Sequence, residues 1–261
     1  MRESSGLIAF NDSILITHND SGNGPLLYFL NTKGNVLKNV RVLNSINYDW
    51  EDICQDSLNI YIGDIGNNSN RRKSLQIYKI SKKDLLREEN VKAEKIEFNY
   101  EDQKQFPPPR DNMRFDAEGI IAFKDSLYIF SKNHTDPYDG LLTIYRVPKD
   151  PGVYTAKIHQ QVKILANSWL NNNITAATVS DNERNIALLT HDKIWYLKDF
   201  NGTDFFSGSI QLLQLNFISQ KEAIAFSKNG TLFITDEYLH PLIGGNLYEF
   251  NLMPFLLNKE N

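Results

Sequence analysis

An aliphatic or aromatic residue followed by tyrosine recurs five times along this chain: Leu27-Tyr28, Ile77-Tyr78, Ile144-Tyr145, Trp195-Tyr196 and Leu247-Tyr248. The tyrosines stand 50, 67, 51 and 52 residues apart, and a near-constant step of that size marks a repeat architecture. Upstream of each tyrosine lie two β-rich runs joined by a short polar turn, which read as hairpins. The first runs are 5–10, 51–56, 118–123, 175–180 and 222–227, and most are nearly continuously apolar, as in strands buried on both faces. The second runs are 14–18, 60–64, 127–132, 187–191 and 232–236. A more polar fourth run follows four of the tyrosines, at 34–43, 92–100, 154–164 and 208–215. Four strands per unit at this period predict an all-β, five-bladed β-propeller of four-stranded antiparallel blades around a central channel.

The expected blades are 5–43, 50–100, 116–164, 174–215 and 221–258, forming a single domain over 1–261. The long step of 67 comes from an insertion at 101–115 containing Phe106-Pro107-Pro108-Pro109-Arg110. Three prolines cannot pair in a sheet, so this is a loop, and long loops in compact domains are often functional. The fifth blade lacks an obvious outer strand. Either 255–258 supplies it, or an N-terminal strand was removed with a targeting peptide, which the nearness of Met1 to the first inner strand favours. No signal peptide precedes that strand.

In such a blade the start of the inner strand and the end of the second strand share one face. One ring is then Ser5, Glu51, Glu118, Thr175 and Glu222; the other is His18, Asp64, Lys132, His191 and Asp236. Five carboxylates against one lysine on a narrow axis cannot all stay ionised without compensation. A hard divalent cation on oxygen ligands is one remedy, with Ca²⁺ the first expectation because it tolerates irregular cages. Mg²⁺ is a further candidate, and nearby histidines also admit Mn²⁺ or Zn²⁺. The other remedy is a water-filled channel whose glutamates bond backbone amides. Four of the five histidines (His18, His134, His191 and His240) fall at or just after second-strand ends, where imidazole can serve as base, acid or ligand. Arg72 in Arg71-Arg72-Lys73, with Arg110 and Arg114, offers forks for a phosphate or carboxylate, though a solvated charge run is the default. Trp50 stands beside the mouth, either as a ligand contact or as a buried aromatic.

Other classes are excluded. A net charge of −4 and a pI near 5.8 leave no basic footprint for nucleic acid. No run of eighteen apolar residues suggests a transmembrane helix. The single cysteine, Cys54, aligns with core positions Ile8, Ile121 and Ile224 and reads as a small buried hydrophobe. No nucleophile elbow, phosphate loop or dinucleotide fingerprint occurs. A monomer is the default.

His18-Asn-Asp-Ser-Gly22, Asp49-Trp-Glu-Asp-Ile53, Tyr61-Ile-Gly-Asp-Ile-Gly-Asn67 and Phe115-Asp-Ala-Glu-Gly119 resemble a group of uncharacterised, often secreted bacterial β-propellers. More distantly, the acidic openings of the inner strands are similar to senescence-marker/gluconolactonase-like and phytase-like propellers. That resemblance implies a divalent metal at the channel mouth serving lactone or phosphoester hydrolysis, and an extracellular or periplasmic setting, with a cytoplasmic one left open. It implies Glu51, Glu118, Glu222 and Asp236 as metal ligands. Asp64 or His191 would be the general base, with His18 as an alternative. Lys132, Arg72, Arg114, Trp50 and His134 would contact a small-molecule, glycan or peptide ligand. The competing expectations are a non-catalytic binding propeller, or one with a structural Ca²⁺.

Overall fold

The computed structural model describes residues 3–164, 172–227, 230–238 and 244–257; His240 and Asn258 lie outside them. Five successive units wind through the chain. The first is β1 (Ser4–Ala9), β2 (Ile14–Asn19), β3 (Leu26–Asn31) and β4 (Val36–Val42). The second is β5 (Trp50–Gln55), β6 (Asn59–Asp64) and β7 (Leu75–Ser81), then a short helix α1 (Lys82–Arg87), β8 (Asn90–Val91) and β9 (Glu94–Tyr100). The third is β10 (Asp116–Phe123), β11 (Ser126–Lys132), β12 (Leu141–Pro148) and β13 (Gly152–Lys163). The fourth is β14 (Ala176–Val179), β15 (Asn185–Leu189), β16 (Lys193–Lys198) and β17 (Ser209–Gln214). The fifth is β18 (Lys221–Phe226), β19 (Thr231–Asp236) and β20 (Leu247–Asn251), followed by helix α2 (Met253–Leu257). The fold is all-β apart from these two short helices and a 3₁₀ turn, and no described helix is long and apolar enough to cross a membrane. Every repeat tyrosine sits on the third strand of its unit.

Within each unit, successive strands pair antiparallel, β7 pairing with β9 in the second. The first strands pack side by side, β1 on β5, β5 on β10, β10 on β14 and β14 on β18, and β18 returns to β1. The core follows the same closure, in five layers that each lie between neighbouring units. The layer between the second and third units holds Tyr61, Ile77, Phe98, Tyr100, Ile120 and Tyr145. The layer between the fifth and first is small, with Leu7, Leu15 and Leu30 against Ala223, Ala225 and Phe233. There Ser4 Oγ adds hydrogen bonds of 2.8 Å to both Thr17 and Thr235.

Two features escaped the repeat pattern. Strand β8 pairs parallel with β4, and β13 pairs parallel with β9, so the outer edges of the first three units are stitched together. The 255–258 segment is not an outer strand over its described residues. Pro254 has no N–H to give a ladder and suits the first turn of a helix. Asn251 Oδ1 accepts the Met253 N–H at 2.9 Å, and Phe255 stacks on Phe250. The 101–115 insertion is a loop as expected, but it is tied down: Asp102 accepts the Tyr145 hydroxyl, Gln103 donates to the Asn70 carbonyl, and Phe115 N–H donates to Asn70 Oδ1.

One buried acid stands among small residues where the first strands meet. Gly6, Gly119, Ala176 and Ala223 occupy the position after the ring residue in four units, and Asp52 occupies it in the second. A methyl group at Gly6 would meet the Asp52 and Ile53 backbone, and one at Gly119 would meet Ala177. The buried Asp52 carboxylate accepts N–H bonds from Ile53 at 2.8 Å, Ile120 at 3.0 Å and Ala177 at 3.2 Å. It thereby ties β5, β10 and β14. Each orphaned buried N–H costs about 1–3 kcal/mol. Asp52→Ala is therefore expected to lower unfolding free energy by about 2–5 kcal/mol in urea titrations, while Asp125→Ala, on the exposed pair with Arg146, should change it by less than about 0.5 kcal/mol.

Candidate functional site

The ring residues reach the channel mouth because each inner strand is irregular there. The ladders of β1, β5, β10 and β18 slip between Ser4 and Gly6, Trp50 and Asp52, Ala117 and Gly119, and Lys221 and Ala223. The residues skipped are Ser5, Glu51, Glu118 and Glu222. Thr175 repeats the arrangement, since its N–H bonds the Leu189 carbonyl although Leu189 is the register partner of Ala176. A β-bulge leaves its extra residue unpaired and re-aims its side chain. Ser5 Oγ and Thr175 Oγ1 donate to the backbone carbonyls of Glu51 and Lys221 in the next unit.

Glu51, Asp116 and Glu118 form a buried group whose carboxylate oxygens lie within 4.8 Å of one another. Two unit charges at that spacing repel by roughly 3.5 kcal/mol at an effective dielectric of about 20. Much of this group is compensated internally. Lys132 Nζ lies 2.7 Å from Glu118 Oε1. Burial alone would lower the Lys132 pKa, but Glu118, Asp116 and Glu222 outweigh it and hold the ammonium above its ordinary range. Asp116 accepts N–H bonds from Asn67 and Ala117, and its Oδ2 is 2.7 Å from His134 Nε2. Glu222 joins the same field: burial and then Glu118 push its carboxyl well up, and its buried Oε2 has no partner among the described residues.

A second group, Asp20, Asp49 and Glu51, shares Glu51 with the first and opens toward solvent through the half-buried Asp20 and Asp49. No described residue donates a hydrogen bond to the Asp49 or Glu51 carboxylate. Both pack against Gly66, where an added methyl group would collide with Glu51 Oε1 and the Asp49 carboxylate. Burial and then Glu118, Asp116, Asp20 and Asp49 push the Glu51 carboxyl well above its ordinary range. Burial, Asp20 and Asp116 push Asp49 up to about 7, and burial, Asp20 and Glu3 do the same for Glu237. Uncompensated oxygen donors around a cradle kept clear by glycine fit a hard divalent cation. They do not call for a thiolate- or imidazole-seeking metal.

The structure sorts the other sequence candidates. Glu51 and Glu118 come together and Glu222 adjoins them, but Asp236 is committed elsewhere, accepting from Asn246 N–H and the Tyr248 hydroxyl, each at 2.8 Å. Asp64 is likewise engaged, 2.8 Å from Arg72 Nη2 and accepting the Asp49 N–H. Asn19, not His18, is the register equivalent of Asp64 and Asp236, and a one-residue offset turns a strand side chain to the other face. His18 therefore lies fully buried in the wall, edge-on to Trp50, and burial lowers its pKa to about 4. Trp50 is fully buried, with Nε1 donating to the Ile46 carbonyl. His191 lies two residues past β15; burial, Lys132 and Lys221 lower its pKa to about 4. Arg72 also bonds the Gly66 carbonyl and lies over Tyr48, while Arg114 pairs with Asp139 at 2.9 Å. Both guanidinium groups thus brace loops.

Sequence reasoning passed over Asp20, Asp49, Asp52 and Asp116. A signal existed for two of them: Asp49-x-Glu51 and Asp116-x-Glu118 repeat the same acidic pair at the same place in consecutive units.

No family model matches the chain and no curated protein matches it. Among solved structures it is similar to a chain of a nidogen/laminin complex, at 13% identity and a TM-score of 0.48, over 90% of this chain and 72% of that one. It is also similar to a functionally unknown protein from Desulfotomaculum acetoxidans DSM 771, at 13% identity and a TM-score of 0.42, over 95% of this chain and 75% of that one.

The crowded carboxyls link stability to pH. Their folded pKa values are raised, so the stability they confer is present below the unfolded value, near 4, and is lost as pH rises through the folded values, about 7 for Asp49 and Glu237 and well above the ordinary range for Glu51. His18 and His191 work oppositely, their contribution being lost as pH falls from about 6.5 toward about 4. Between pH 6.5 and 8.5 the carboxyls dominate. Chelator-treated protein should show a Tm that falls across that window, and Glu51→Gln should flatten the fall and raise Tm at its upper end.

Proposed function

We propose that the chain is a five-bladed β-propeller whose mouth binds one divalent cation on Asp20, Asp49 and Glu51, with Ca²⁺ the expected ion. The observation that carries this reading is the half-buried Asp49 carboxylate beside the buried Glu51 carboxylate, neither receiving a hydrogen bond from a described residue, held together over Gly66. The closure of the first strands and the five inter-unit core layers support the blade count. Glu118 is balanced by Lys132, and Asp116 is held by two amides and His134, so the cation belongs on the outer group.

The same placement supports a hydrolytic reading of the ion. Asp20 and Asp49 are open to solvent, leaving room for water and a substrate oxygen beside the cation, where a metal acts as a Lewis acid on a carbonyl or phosphoryl group. The lactonase- and phytase-like resemblance of the acidic openings points to lactones and phosphoesters as the first substrates, and the secreted relatives it invokes to an extracellular or periplasmic setting. His191, neutral at pH 7, is the group of the original set best suited to accept a proton. Asp64, consumed by Arg72, and His18, sealed in the wall, are not.

Metal analysis of protein purified without chelator should find about one divalent ion per chain. A cation at about 100-fold over its Kd adds roughly 2.7 kcal/mol, or about 5–10 °C in Tm for a chain of this size. EDTA should remove that increment and Ca²⁺ should restore it. Glu51→Gln and Gly66→Ala should both abolish the response, with Asp181→Asn as an unaffected control. A response that survives Glu51→Gln would overturn the site. Metal-dependent turnover in a lactone and phosphoester panel, lost with Glu51→Gln, would establish hydrolysis; a metal response with no turnover would leave a cation-stabilised binding propeller.

A further inference from the structure

The outer edges of the five units are not treated alike. In the first three, β4 takes β8 and β13 takes β9 in parallel pairs. In the last two, β17 and β20 end their sheets and pair on one side only among the described residues. Such a strand offers a row of free N–H and C=O groups to another chain, and a charge on the edge is a common safeguard. Strand β20 carries one, Glu249, and Pro254 follows soon after its end. Strand β17, Ser209-Ile-Gln-Leu-Leu-Gln214, carries no charge, proline or glycine.

The register fixes which groups of β17 face outward. Gln211 stands opposite Tyr196 and Leu212 opposite Trp195. One step past the strand, in the same register, Leu215 donates its N–H to the Asp192 carbonyl at 2.8 Å. Hydrogen-bonded and non-hydrogen-bonded pairs alternate along an antiparallel ladder. Gln211 and Leu213 therefore bond to β16, whereas the N–H and C=O groups of Ile210 and Leu212 point away from it. The side chains of those same two residues share one face and are 41% and 50% exposed. Gln211 is on the other face, where its Nε2 donates to the Phe255 carbonyl of α2 at 3.3 Å.

We propose that β17 is a self-association edge, at which two copies of the chain pair antiparallel about a two-fold axis through Gln211. In that register Ile210 of each copy stands opposite Leu212 of its partner. Both residues of such a pair turn their backbone groups toward the other, so each pair exchanges two N–H···O bonds and covers isoleucine with leucine. The same six residues supply both halves of the match, as an isologous contact requires, and no charge stands opposite another. Two four-stranded units thereby become one eight-stranded sheet.

Sedimentation velocity of the full chain over about 5–500 µM should show a reversible monomer–dimer equilibrium, since a two-strand contact belongs to the weak class of interfaces. Combining Ile210→Lys with Leu212→Lys sets lysine opposite lysine and should weaken association by at least about tenfold. Combining Ile210→Glu with Leu212→Glu should do the same, and mixing the two double variants should restore a dimer. Val153→Lys, 79% exposed on the already paired β13, should change nothing. Gln211→Cys brings two thiols to a non-hydrogen-bonded pair about 4.5 Å apart at Cα, within disulfide reach, and should cross-link under mild oxidation. Leu212→Cys, placed opposite Ile210, should not, and the native Cys54 is buried. Thermal melts confirm that each variant is folded. A chain that stays monomeric throughout would overturn the proposal. So would a dimer indifferent to the double lysine variant, charged variants that stay monomeric when mixed, or Leu212→Cys cross-linking faster than Gln211→Cys.

Discussion

One buried carboxylate organises the centre of this protein. Asp52 lies where the first strands converge, and its four equivalents in the other units are all glycine or alanine. Burial pushes its carboxyl well above the ordinary range, while three backbone N–H donors pull the other way. Those donors belong to its own strand and to two others. The bonds do more than satisfy the group. They set the depth at which β5, β10 and β14 stand relative to one another, and hence the height at which the bulged glutamates meet. They also lie between the acid-rich mouth and a far end of mixed polar and apolar lining.

The acidic end shows how differently similar carboxylates can be treated. Glu118 has a lysine at contact distance, and Asp116 has two amides and an imidazole. Asp49 and Glu51, a few ångströms away, receive no hydrogen bond from any described residue. A buried acid without partners is costly, and the structure carries one, Glu51, beside the half-buried Asp49, over a glycine that holds the space beside them open. Charge counting alone would treat the ring as one acidic pool. Hydrogen-bond accounting divides it into a compensated half and a demanding half.

Much of the architecture was legible because the repeat carries its own register. The five Leu/Ile/Trp-Tyr pairs all land on third strands, and the first and second strands begin within a few residues of where the hydrophobic runs place them. Glu51, Glu118 and Glu222 were readable as ring residues because each opens its run in the same way. The rest was hidden for physical reasons. His18 was aligned with Asp64 by counting along the strand, but strand faces alternate every residue, and a shift of one sent it into the wall. Pro254, which suits the first turn of a helix, was a readable signal against a strand in the last segment. The parallel stitching of β8 to β4 and β13 to β9 depends on strand edges meeting across units, which no pattern within a unit encodes. Asp52 was the most readable omission: one acid among glycines and alanines at a single aligned position.

The stitching is uneven. Outer edges join the first three units, whereas among the described residues the fifth meets the first through a small core layer and a Ser4–Thr235 contact. All the acids of the two groups at the mouth, Asp20, Asp49, Glu51, Asp116 and Glu118, belong to the stitched arc. A ring built this way has a designated point of failure. Under tension or thermal strain it would part at the seam between its last and first units, as a split washer opens at its cut, and the arc bearing the carboxylates would travel as one piece.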